Sequence, residues 1–371
     1  MNGSREAPGA TIGVIERYRE HLPVTDATPV VSLSEGSTPL IFSPRLSKVV
    51  GRGCQVYLKH EGLNPTGSFK DRGMTVAVSK AAESGARLVL CASTGNTSAS
   101  AAAYAARAGI QCAVLLPAGK IAMGKLAQAF VYGAVVIALD ANFDQCLKLV
   151  RELSSEPGIS VVNSINPYRL EGQKTAAFEI IDALGDAPHF HLLPVGNAGN
   201  TTAYWRGYVE YHRLKRTTRL PQVLGFEAAG AAPIYHNRII EHPETAASAI
   251  RIGNPASWKM ANAAFQESGG AIEMVTDEEI FAAHTWLASK EGLFVEPASA
   301  ASVAGLFKRL SQTPGASGPG PAIWENATIV CTLTGHGLKD TAAVLNDRLK
   351  PVSAPADKTA ILSILEEVKW V

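Results

Sequence analysis

A chain of 371 residues is long enough to bury a large hydrophobic core and suggests two lobes rather than one. Its 46% hydrophobic and 18% charged residues are typical of a folded globular protein and exclude a disordered one. The 34 basic and 33 acidic residues nearly cancel, so there is no strong field to attract nucleic acid or a membrane surface, and we expect neither as a partner.

The first informative segment is Gly62 to Gly73, which reads Gly-Leu-Asn-Pro-Thr-Gly-Ser-Phe-Lys-Asp-Arg-Gly. Pro65 fixes its own φ, and Gly67 permits a tight bend with positive φ. The apolar run at 74–78 predicts a buried helix, so Lys70 lies where the turn becomes that helix. Such an amine can form a Schiff base with an aldehyde cofactor, above all pyridoxal phosphate. The alternative is an ordinary surface cation.

From residue 87 onward, short β-type runs alternate with helical runs. The first series has strand patterns at 87–92, 112–116, 134–139 and 159–163, and helix patterns at 97–107, 123–132 and 142–153. The second series has helix patterns at 175–184, 201–215, 276–292, 299–310 and 359–369, and strand patterns at 189–195, 222–227, 271–275 and 328–333. Such alternation with short connections predicts parallel sheets covered on both faces.

We therefore predict an α/β fold of two three-layer domains with mostly parallel twisted sheets. The smaller, mobile domain is predicted at 80–165, and the larger one is discontinuous, from 1–79 and 166–371. The Pro-, Gly- and Ser-rich stretch at 311–321 is a predicted surface loop. Ligands of open parallel sheets bind at the carboxyl ends of strands, so the loops that follow the strands are the candidate sites.

The first of these loops runs through Ser93, Thr94, Gly95, Asn96, Thr97 and Ser98 and leads directly into a helix. Unpaired N–H groups and the positive end of the helix dipole make it a candidate seat for a substrate α-carboxylate. The Asn96 amide can bond a neutral phenolic oxygen. The alternative is that Thr97 or Ser98 only caps the helix.

A second loop, Gly196-Asn197-Ala198-Gly199-Asn200-Thr201, also joins a hydrophobic strand to a helix. Its two glycines let the backbone wrap closely round a phosphate. The loop lacks the lysine of a Walker P-loop and the G-x-G-x-x-G spacing of a dinucleotide site. A single phosphate monoester therefore fits better than a nucleotide.

Two further loops follow predicted strands. In the segment from Asn163 to Arg169, the guanidinium of Arg169 can bind a phosphate through two parallel hydrogen bonds. The alternative is an interdomain salt bridge to Glu171 or another acid. After the last strand, Thr334 presents a neutral hydroxyl, and His336 lies between two glycines, where it is expected to hydrogen-bond the turn rather than act as a base.

The five cysteines are widely spaced and odd in number, which argues against a disulfide framework, and none has metal-ligand spacing. Most lie in apolar strand-like runs, where they act as small buried hydrophobes. The first thirty residues have no long apolar core, and no apolar run approaches the ~20 residues that a membrane span needs. We expect no metal, no membrane contact and a cytoplasmic location.

Taken together, the sequence resembles the threonine synthases along nearly its whole length. The matching segments are Glu35 to Leu40, Asn64 to Gly73, Ala92 to Gly109, Asn163 to Thr175, Gly196 to Asn200, Ala249 to Trp258 and Leu333 to Asp340. As a set they are highly specific, whereas Lys70 and the glycine loops alone identify only the wider tryptophan-synthase-β-like superfamily. The resemblance implies fold type II of the pyridoxal-phosphate enzymes, with pyridoxal 5′-phosphate as cofactor.

The resemblance also implies roles for the loop residues. Lys70 holds the cofactor as a Schiff base and later shuttles protons, and Asn96 meets the 3′-oxygen of the cofactor. The cofactor phosphate is bound by Gly196, Asn197, Ala198, Gly199 and Asn200. Thr334 faces the pyridine nitrogen. Because a neutral hydroxyl cannot stabilise a pyridinium as an aspartate does, this partner favours elimination over transamination.

The implied substrate is O-phospho-L-homoserine, from which phosphate leaves Cγ before water adds at Cβ to give L-threonine. The implied contacts are Ser93, Thr94 and Thr97 for the α-carboxylate, and Asn163, Ser164 and Arg169 for the phosphate, with Thr97 and Asn197 as further candidates for the phosphate. Lys59 is another candidate, with a surface role as the alternative. Enzymes of this resemblance are typically homodimers, so a homodimer is expected.

One position departs from the resemblance, because Glu227 stands where threonine synthases usually carry glutamine. A carboxylate that faces a dianionic phosphate repels it, so the substrate depends on whether Glu227 faces the site. The first alternative function is a paralogous, cysteate-synthase-like β-replacement enzyme that uses O-phosphoserine. The second is a non-catalytic ligand-binding protein that has kept the phosphate loop, against which the presence of Lys70 argues.

Overall fold

The computed structural model describes residues 12–118, 123–141, 143–311, 324–344 and 352–367. The helices are α1 (Val14–Arg17), α2 (Pro44–Val50), α3 (Lys70–Glu83), α4 (Asn96–Ala108), α5 (Met123–Val131), α6 (Phe143–Leu153), α7 (Pro167–Leu184), α8 (Gly199–Arg213), α9 (Trp258–Glu267), α10 (Asp277–Trp286), α11 (Pro297–Ser311), α12 (Thr341–Val344) and α13 (Lys358–Glu367). Within these ranges, each helix is too short or too polar to cross a lipid bilayer.

The strands form two sheets. They are β1 (Leu40–Phe42), β2 (Gln55–His60), β3 (Leu88–Ala92), β4 (Gln111–Pro117), β5 (Val135–Leu139), β6 (Ile159–Val161), β7 (Phe190–Pro194), β8 (Gln222–Ala228), β9 (Ala271–Val275) and β10 (Thr328–Leu333). One sheet has six strands in the order β1-β2-β10-β7-β8-β9, and the other has four in the order β5-β4-β3-β6. All pairs are parallel except β1 with β2.

Both sheets are covered by helices on both faces, because alternate residues of a strand belong to different cores. In β7, Leu192 packs into a core with residues of α11, whereas Leu193 packs into a core with residues of α8. In β3, Cys91 joins a core with α4, whereas Leu90 joins a core with α6. This three-layer arrangement confirms the predicted α/β fold class. All five cysteines are buried and unpaired.

The predicted alternation of strands and helices is confirmed from residue 87 onward, with most bounds shifted by one or two residues. The helix predicted from residue 175 begins earlier, at Pro167, because the Asn166 side chain accepts a hydrogen bond from Tyr168 N and caps it. The capping box at Thr276 is confirmed. Residues 312–321 of the predicted loop, and the predicted helix start at residue 142, lie outside the described residues. The bounds of the two domains stay a prediction.

Candidate active site

The turn that carries Lys70 is fixed to the end of strand β10. Gly67 has a φ of 87° and its carbonyl accepts a hydrogen bond from His336 N at 2.9 Å. Phe69 N donates to the carbonyl of Thr334 at 3.0 Å. Helix α3 begins at Lys70 itself, so the predicted change from turn to helix is confirmed. Two segments that are 264 positions apart in the chain, at Lys70 and Thr334, thereby form one surface.

The Lys70 amine is held without a partner. Among the described residues, no hydrogen bond or ion pair occupies its Nζ, which lies 4.1 Å from the centroid of the Phe69 ring. Burial, and secondarily the charge of Arg169, lower the pKa of Lys70 to about 7, while Glu296 acts in the opposite direction. The interpretation of Lys70 as an ordinary surface cation is therefore wrong. A neutral amine near pH 7 is a competent nucleophile and base.

The residues that follow Lys70 anchor helix α3 in the core. Asp71 is buried and accepts hydrogen bonds from Thr66 N at 2.7 Å and from Ser100 Oγ at 2.6 Å. Arg72 is fully buried and pairs with two carboxylates, those of Glu61 and Glu179, at 2.6 Å each. These contacts hold the first turn of α3, and hence the Lys70 backbone, in place.

Lys59 belongs to the same buried network rather than to a phosphate site. It is 1% exposed, and its Nζ pairs with Glu179 Oε2 at 2.7 Å. The surface role offered as an alternative is wrong. Burial alone would raise the pKa of Glu179, but the charges of Arg72 and Lys59 outweigh it and hold that pKa well below its usual range.

Removing the Glu179 charge is expected to destabilise the fold, because Lys59 and Arg72 are then left buried without full compensation. We expect Glu179→Gln to lower the free energy of unfolding by about 3 kcal/mol, measured by urea denaturation. Glu171→Gln, on the same helix, is the matched control and is expected to cost less than about 1 kcal/mol, because Glu171 is partly exposed and its partner Lys174 keeps a second carboxylate, Glu210. Equal losses would show that the network is not strongly coupled.

Helices α3 and α7 cross in direct contact, which brings Arg169 towards Lys70. A Cβ atom at Gly73 would lie 2.6 Å from the Arg169 carbonyl oxygen, and one at Gly172 would lie 1.9 Å from the Arg72 carbonyl oxygen. Only glycine allows this approach. The crossing explains why Arg169 acts on the pKa of Lys70, although the two residues are far apart in sequence.

Arg169 is buried, with 1% exposure, and its charge is not paired. Its Nη1 donates to the Val162 carbonyl at 3.1 Å and its Nε has no partner. No carboxylate of the described residues lies in ion-pair distance, since Glu171 pairs with Lys174 at 2.6 Å instead. The interdomain salt bridge is therefore wrong. Burial lowers the pKa of Arg169 to about 10, and a buried guanidinium without a counterion is a strong candidate for binding an anion.

The loop after β3 has the features of an anion seat. Gly95 is the N-cap of α4 and no side chain caps this end, while Ser98 Oγ donates to the Gly95 carbonyl at 2.7 Å. The alternative in which Thr97 or Ser98 caps the helix is therefore wrong. Ser93 Oγ accepts a hydrogen bond from Gly95 N at 3.1 Å, and Thr94 is half-buried beside it.

The neighbouring strand β6 ends at the same edge and supplies Asn163. Its Oδ1 and Nδ2 bond the Ala92 N–H and carbonyl at 3.0 and 2.9 Å, so one amide hydrogen remains for a ligand. Ser164 is half-buried next to it. Asn163 thus joins the third predicted loop to the first.

The loop after β7 has an open polar cradle at the start of α8. Ala198 is left-handed, with a φ of 62°, and no side chain caps the helix. Asn200 Nδ2 and Thr201 Oγ1 are buried and without partners. Buried polar atoms normally have partners, so these two are available to a bound group. Asn197 ties the loop to the segment near residue 257, since its carbonyl accepts from Ser257 N at 3.2 Å.

Strand β10 lies beside β7, so Thr334 reaches the same edge of the sheet as this cradle. Thr334 is 5% exposed and its Oγ1 lies 2.9 Å from Ser299 Oγ. His336 Nδ1 accepts a hydrogen bond from Leu338 N at 3.2 Å, which confirms the prediction that it bonds the turn. An unpaired amine, a loop with unpartnered buried polar atoms and a neutral hydroxyl suit pyridoxal phosphate well.

Sequence reasoning missed Glu296, which lies next to these residues. It is 3% exposed, and its two oxygens accept from Asn96 Nδ2 at 3.1 and 3.0 Å. Burial raises its pKa, against the effects of Asn96, Lys339 and Lys70. A signal was available, since a glutamate directly before the helix-starting Pro297, in an otherwise apolar run, needs a polar partner.

The carboxylate of Glu227 binds the backbone of the turn after β8. Its oxygens accept hydrogen bonds from Ile234 N at 3.2 Å and Tyr235 N at 2.8 Å, and its side chain is fully buried. Burial raises its pKa to about 7, although these two N–H groups oppose the shift. No contact of the described residues joins Glu227 to Lys70 or Arg169.

The raised pKa gives Glu227→Gln a pH-dependent effect on stability. In wild type, the stabilising contribution of Glu227 is full below the unfolded-state pKa and is lost as the pH rises through about 7, whereas glutamine does not titrate. As the pH rises from about 4 to about 8, the free energy of unfolding of the variant is therefore expected to rise by about 3 kcal/mol relative to that of wild type. Denaturation across this range measures it, with the exposed Glu241→Gln as control. A pH-independent difference contradicts the burial argument.

Comparison with known proteins gives a consistent result. The family model described as pyridoxal-phosphate dependent enzyme matches residues 31–335. The chain is 58% identical over 354 residues to the threonine synthase of Mycobacterium leprae, covering 95% of this chain and 96% of the relative. It is 50% identical to that of Methanocaldococcus jannaschii, covering 95% of this chain and 87% of the relative.

The chain belongs to the threonine synthase family of pyridoxal-phosphate-dependent enzymes. This assignment confirms the predicted family, the predicted cofactor and the predicted class of enzyme, a lyase of amino-acid biosynthesis. Solved structures agree on the fold: maize serine racemase superposes with a TM-score of 0.70 at 19% identity, covering 96% of this chain and 98% of that one. A tomato (Solanum lycopersicum) threonine deaminase superposes with a TM-score of 0.68 at 20% identity, covering 90% and 93%.

Proposed function

We propose that the chain converts O-phospho-L-homoserine and water into L-threonine and phosphate. The observation that carries this proposal is the buried, unpaired guanidinium of Arg169 near the unpaired amine of Lys70, apart from the cradle at Gly196 to Asn200. An enzyme whose cofactor and substrate both carry a phosphate needs two such anion sites. The 58% identity to a threonine synthase supports the same reaction.

The cofactor is proposed to lie between the Lys70 turn and the loop after β7. Its phosphate is assigned to Gly196, Asn197, Ala198, Gly199 and Asn200, whose cradle has buried polar atoms without partners. Asn96 is assigned to the 3′-oxygen and Thr334 to the pyridine nitrogen. When bound there, pyridoxal phosphate would supply an aldehyde for the substrate amino group and an electron-withdrawing ring.

The substrate is proposed to lie along the edge where β3 and β6 end. Ser93, Thr94 and Thr97 would hold its α-carboxylate at the uncapped start of α4. The remaining amide hydrogen of Asn163, the Ser164 hydroxyl and the Arg169 guanidinium would hold its phosphate. With both ends fixed, the carbon atoms between them stay within reach of one mobile lysine amine.

The proton transfers are assigned to Lys70. Its amine takes the proton from Cα, releases it to solvent, and as a neutral amine again takes one from Cβ. Phosphate leaves Cγ with the bonding electron pair, and the protonated amine returns its proton to Cγ. Water then adds its oxygen at Cβ and a proton returns to Cα. A pKa of about 7 suits a group that must both accept and donate protons near neutral pH.

The proposal is tested by phosphate release from O-phospho-L-homoserine under single-turnover conditions, with threonine identified as product. O-phospho-L-serine, with and without sulfite, is the matched comparison, because it separates this reaction from a cysteate-synthase-like β-replacement. Phosphate release that is rapid with phosphohomoserine and absent with phosphoserine is expected. Turnover of phosphoserine alone would overturn the proposed substrate.

The proposal includes a homodimer that acts in the cytoplasm. The homodimer rests on the resemblance to the threonine synthases, and the location rests on five unpaired cysteines, which a reducing compartment keeps in this state. Light scattering of the purified protein at working concentration measures the oligomeric state. A monomer that is fully active at this concentration would contradict the dimer.

A further inference from the structure

Glu296 is a buried carboxylate without an ion-pair partner. Its side chain is 3% exposed, and in the described part of the chain it accepts hydrogen bonds only from Asn96 Nδ2. Burying an unpaired carboxylate is costly, so a folded protein retains one mainly where it has a task. The groups that act on it from neighbouring elements are Lys70 of α3, Asn96 of α4, and Lys339 and Asp340 after β10.

The contact fixes which way the Asn96 carboxamide points. A carboxylate can only accept hydrogen bonds, so the amide nitrogen of Asn96, and not its oxygen, must face Glu296. Both carboxylate oxygens lie within 3.1 Å of that nitrogen. The second amide hydrogen is then left to donate in another direction, which is what a phenolic oxygen of the cofactor requires.

The main chain of Glu296 is bonded to the loop after β10, and its carboxylate lies against Gly335. Glu296 N donates to the Gly335 carbonyl at 3.0 Å, and a Cβ atom at position 335 would lie 2.3 Å from Glu296 Oε1. Any side chain at this position would therefore displace the carboxylate. Glycine here brings Glu296 close to both the Lys70 turn and Asn96.

We propose that Glu296 is a positioning residue of the reaction: its carboxylate orients Asn96 towards the cofactor and supplies the negative charge that offsets Arg169 at the Lys70 amine. The inference rests on the proposed placement of Lys70 and Asn96 at the cofactor. It needs no assumption about the substrate. Both experiments below omit the substrate, so their failure would leave the proposed reaction untouched.

The charge is tested on the cofactor-free protein by labelling Lys70 with fluorodinitrobenzene, which reacts only with neutral amines, across a range of pH. Peptide mass spectrometry gives the midpoint of the labelling rate, which is expected near pH 7 in wild type. Glu296→Gln keeps the shape and removes the charge, so the midpoint is expected to fall by roughly one pH unit. Glu227→Gln, an equally buried carboxylate that does not act on Lys70, should leave it in place.

An unchanged midpoint in Glu296→Gln would overturn the electrostatic part of the proposal. If that variant does not fold, Gly335→Ala provides the second test, because its methyl group pushes the carboxylate away without changing any charge. The midpoint of Gly335→Ala is expected to fall in the same direction by a smaller amount. A wild-type midpoint in that variant would also count against the proposal.

The orientation is tested by the dissociation constant of pyridoxal phosphate, measured by its absorption on binding. Asn96→Ala and Glu296→Ala are each expected to raise this constant about tenfold, the loss typical of one charge-assisted hydrogen bond. If Glu296 acts through Asn96, the double variant loses little more affinity for pyridoxal phosphate than either single variant. Fully additive losses would overturn the positioning role.

Discussion

Lys70→Ala is expected to abolish phosphate release from O-phospho-L-homoserine, with a loss of roughly 10⁴-fold or more. The variant removes both the amine that is proposed to hold the cofactor and the base assigned to every proton transfer. The assay is phosphate release, with circular dichroism and thermal unfolding as measures of folding. Lys80→Ala is the matched control, because Lys80 lies on the same helix and pairs with Glu83.

The Lys70 variant is also expected to fold at least as well as the cofactor-free wild type. The folded-state pKa of about 7 lies below the ordinary lysine pKa of 10.5, so protonation of Lys70 opposes folding increasingly as the pH falls from about 10 towards 7. Alanine has no such cost. An active Lys70→Ala variant would show that another group makes the carbanion, and trapping of the cofactor by borohydride on a different peptide would show where.

The local sequence predicted the order of strands and helices well, because each element carries its own pattern. The capping residues Thr276 and Asn166 and the apolar strands are signals within a few residues of the structure that they specify. Strand β2 and the antiparallel β1 were not predicted. Both precede the regular alternation, so no repeating pattern marks them, and β1 has only three residues.

The loops of the site were predictable for a different reason. In parallel sheets, the carboxyl ends of neighbouring strands share one edge, so the loop residues Asn96, Asn163, Gly196 and Thr334 could be placed at such edges from strand order alone. The sequence did not show which polar side chains stabilise the fold instead of contributing to the site. The buried pairing of Lys59 with Glu179 joins residues 120 positions apart, and no local pattern encodes it.

The approach of Arg169 to Lys70 likewise depends on two glycines, Gly73 and Gly172, that are far apart in sequence and meet where α3 and α7 cross. Glycine within a helix usually weakens it, so from sequence each one appears only as a local cost. The geometry shows the compensating gain, which is contact between two backbones. It places a cation next to the amine whose pKa must be low.

Arg169→Ala is expected to reduce kcat/KM for O-phospho-L-homoserine about a hundredfold, the loss of a charge-assisted bidentate contact, while the dissociation constant of the cofactor changes only a few-fold. Steady-state kinetics and cofactor titration measure the two effects. Arg169→Lys keeps the charge without the two parallel hydrogen bonds, so its kcat/KM should lie between those of wild type and Arg169→Ala. Arg206→Ala, which removes a half-exposed partner of Glu171, is the control and should leave both quantities near wild type.

For Arg169→Ala we make a second, independent prediction, which concerns the pKa of Lys70. Because the Arg169 charge lowers the pKa of Lys70, its removal should raise that pKa. Lys70 then becomes protonated at a higher pH. The midpoint of its labelling rate with fluorodinitrobenzene should therefore move to higher pH in Arg169→Ala and stay in place in Arg169→Lys. Equal losses of substrate and cofactor binding, with no such movement, would instead assign Arg169 to the cofactor site or to the structural frame.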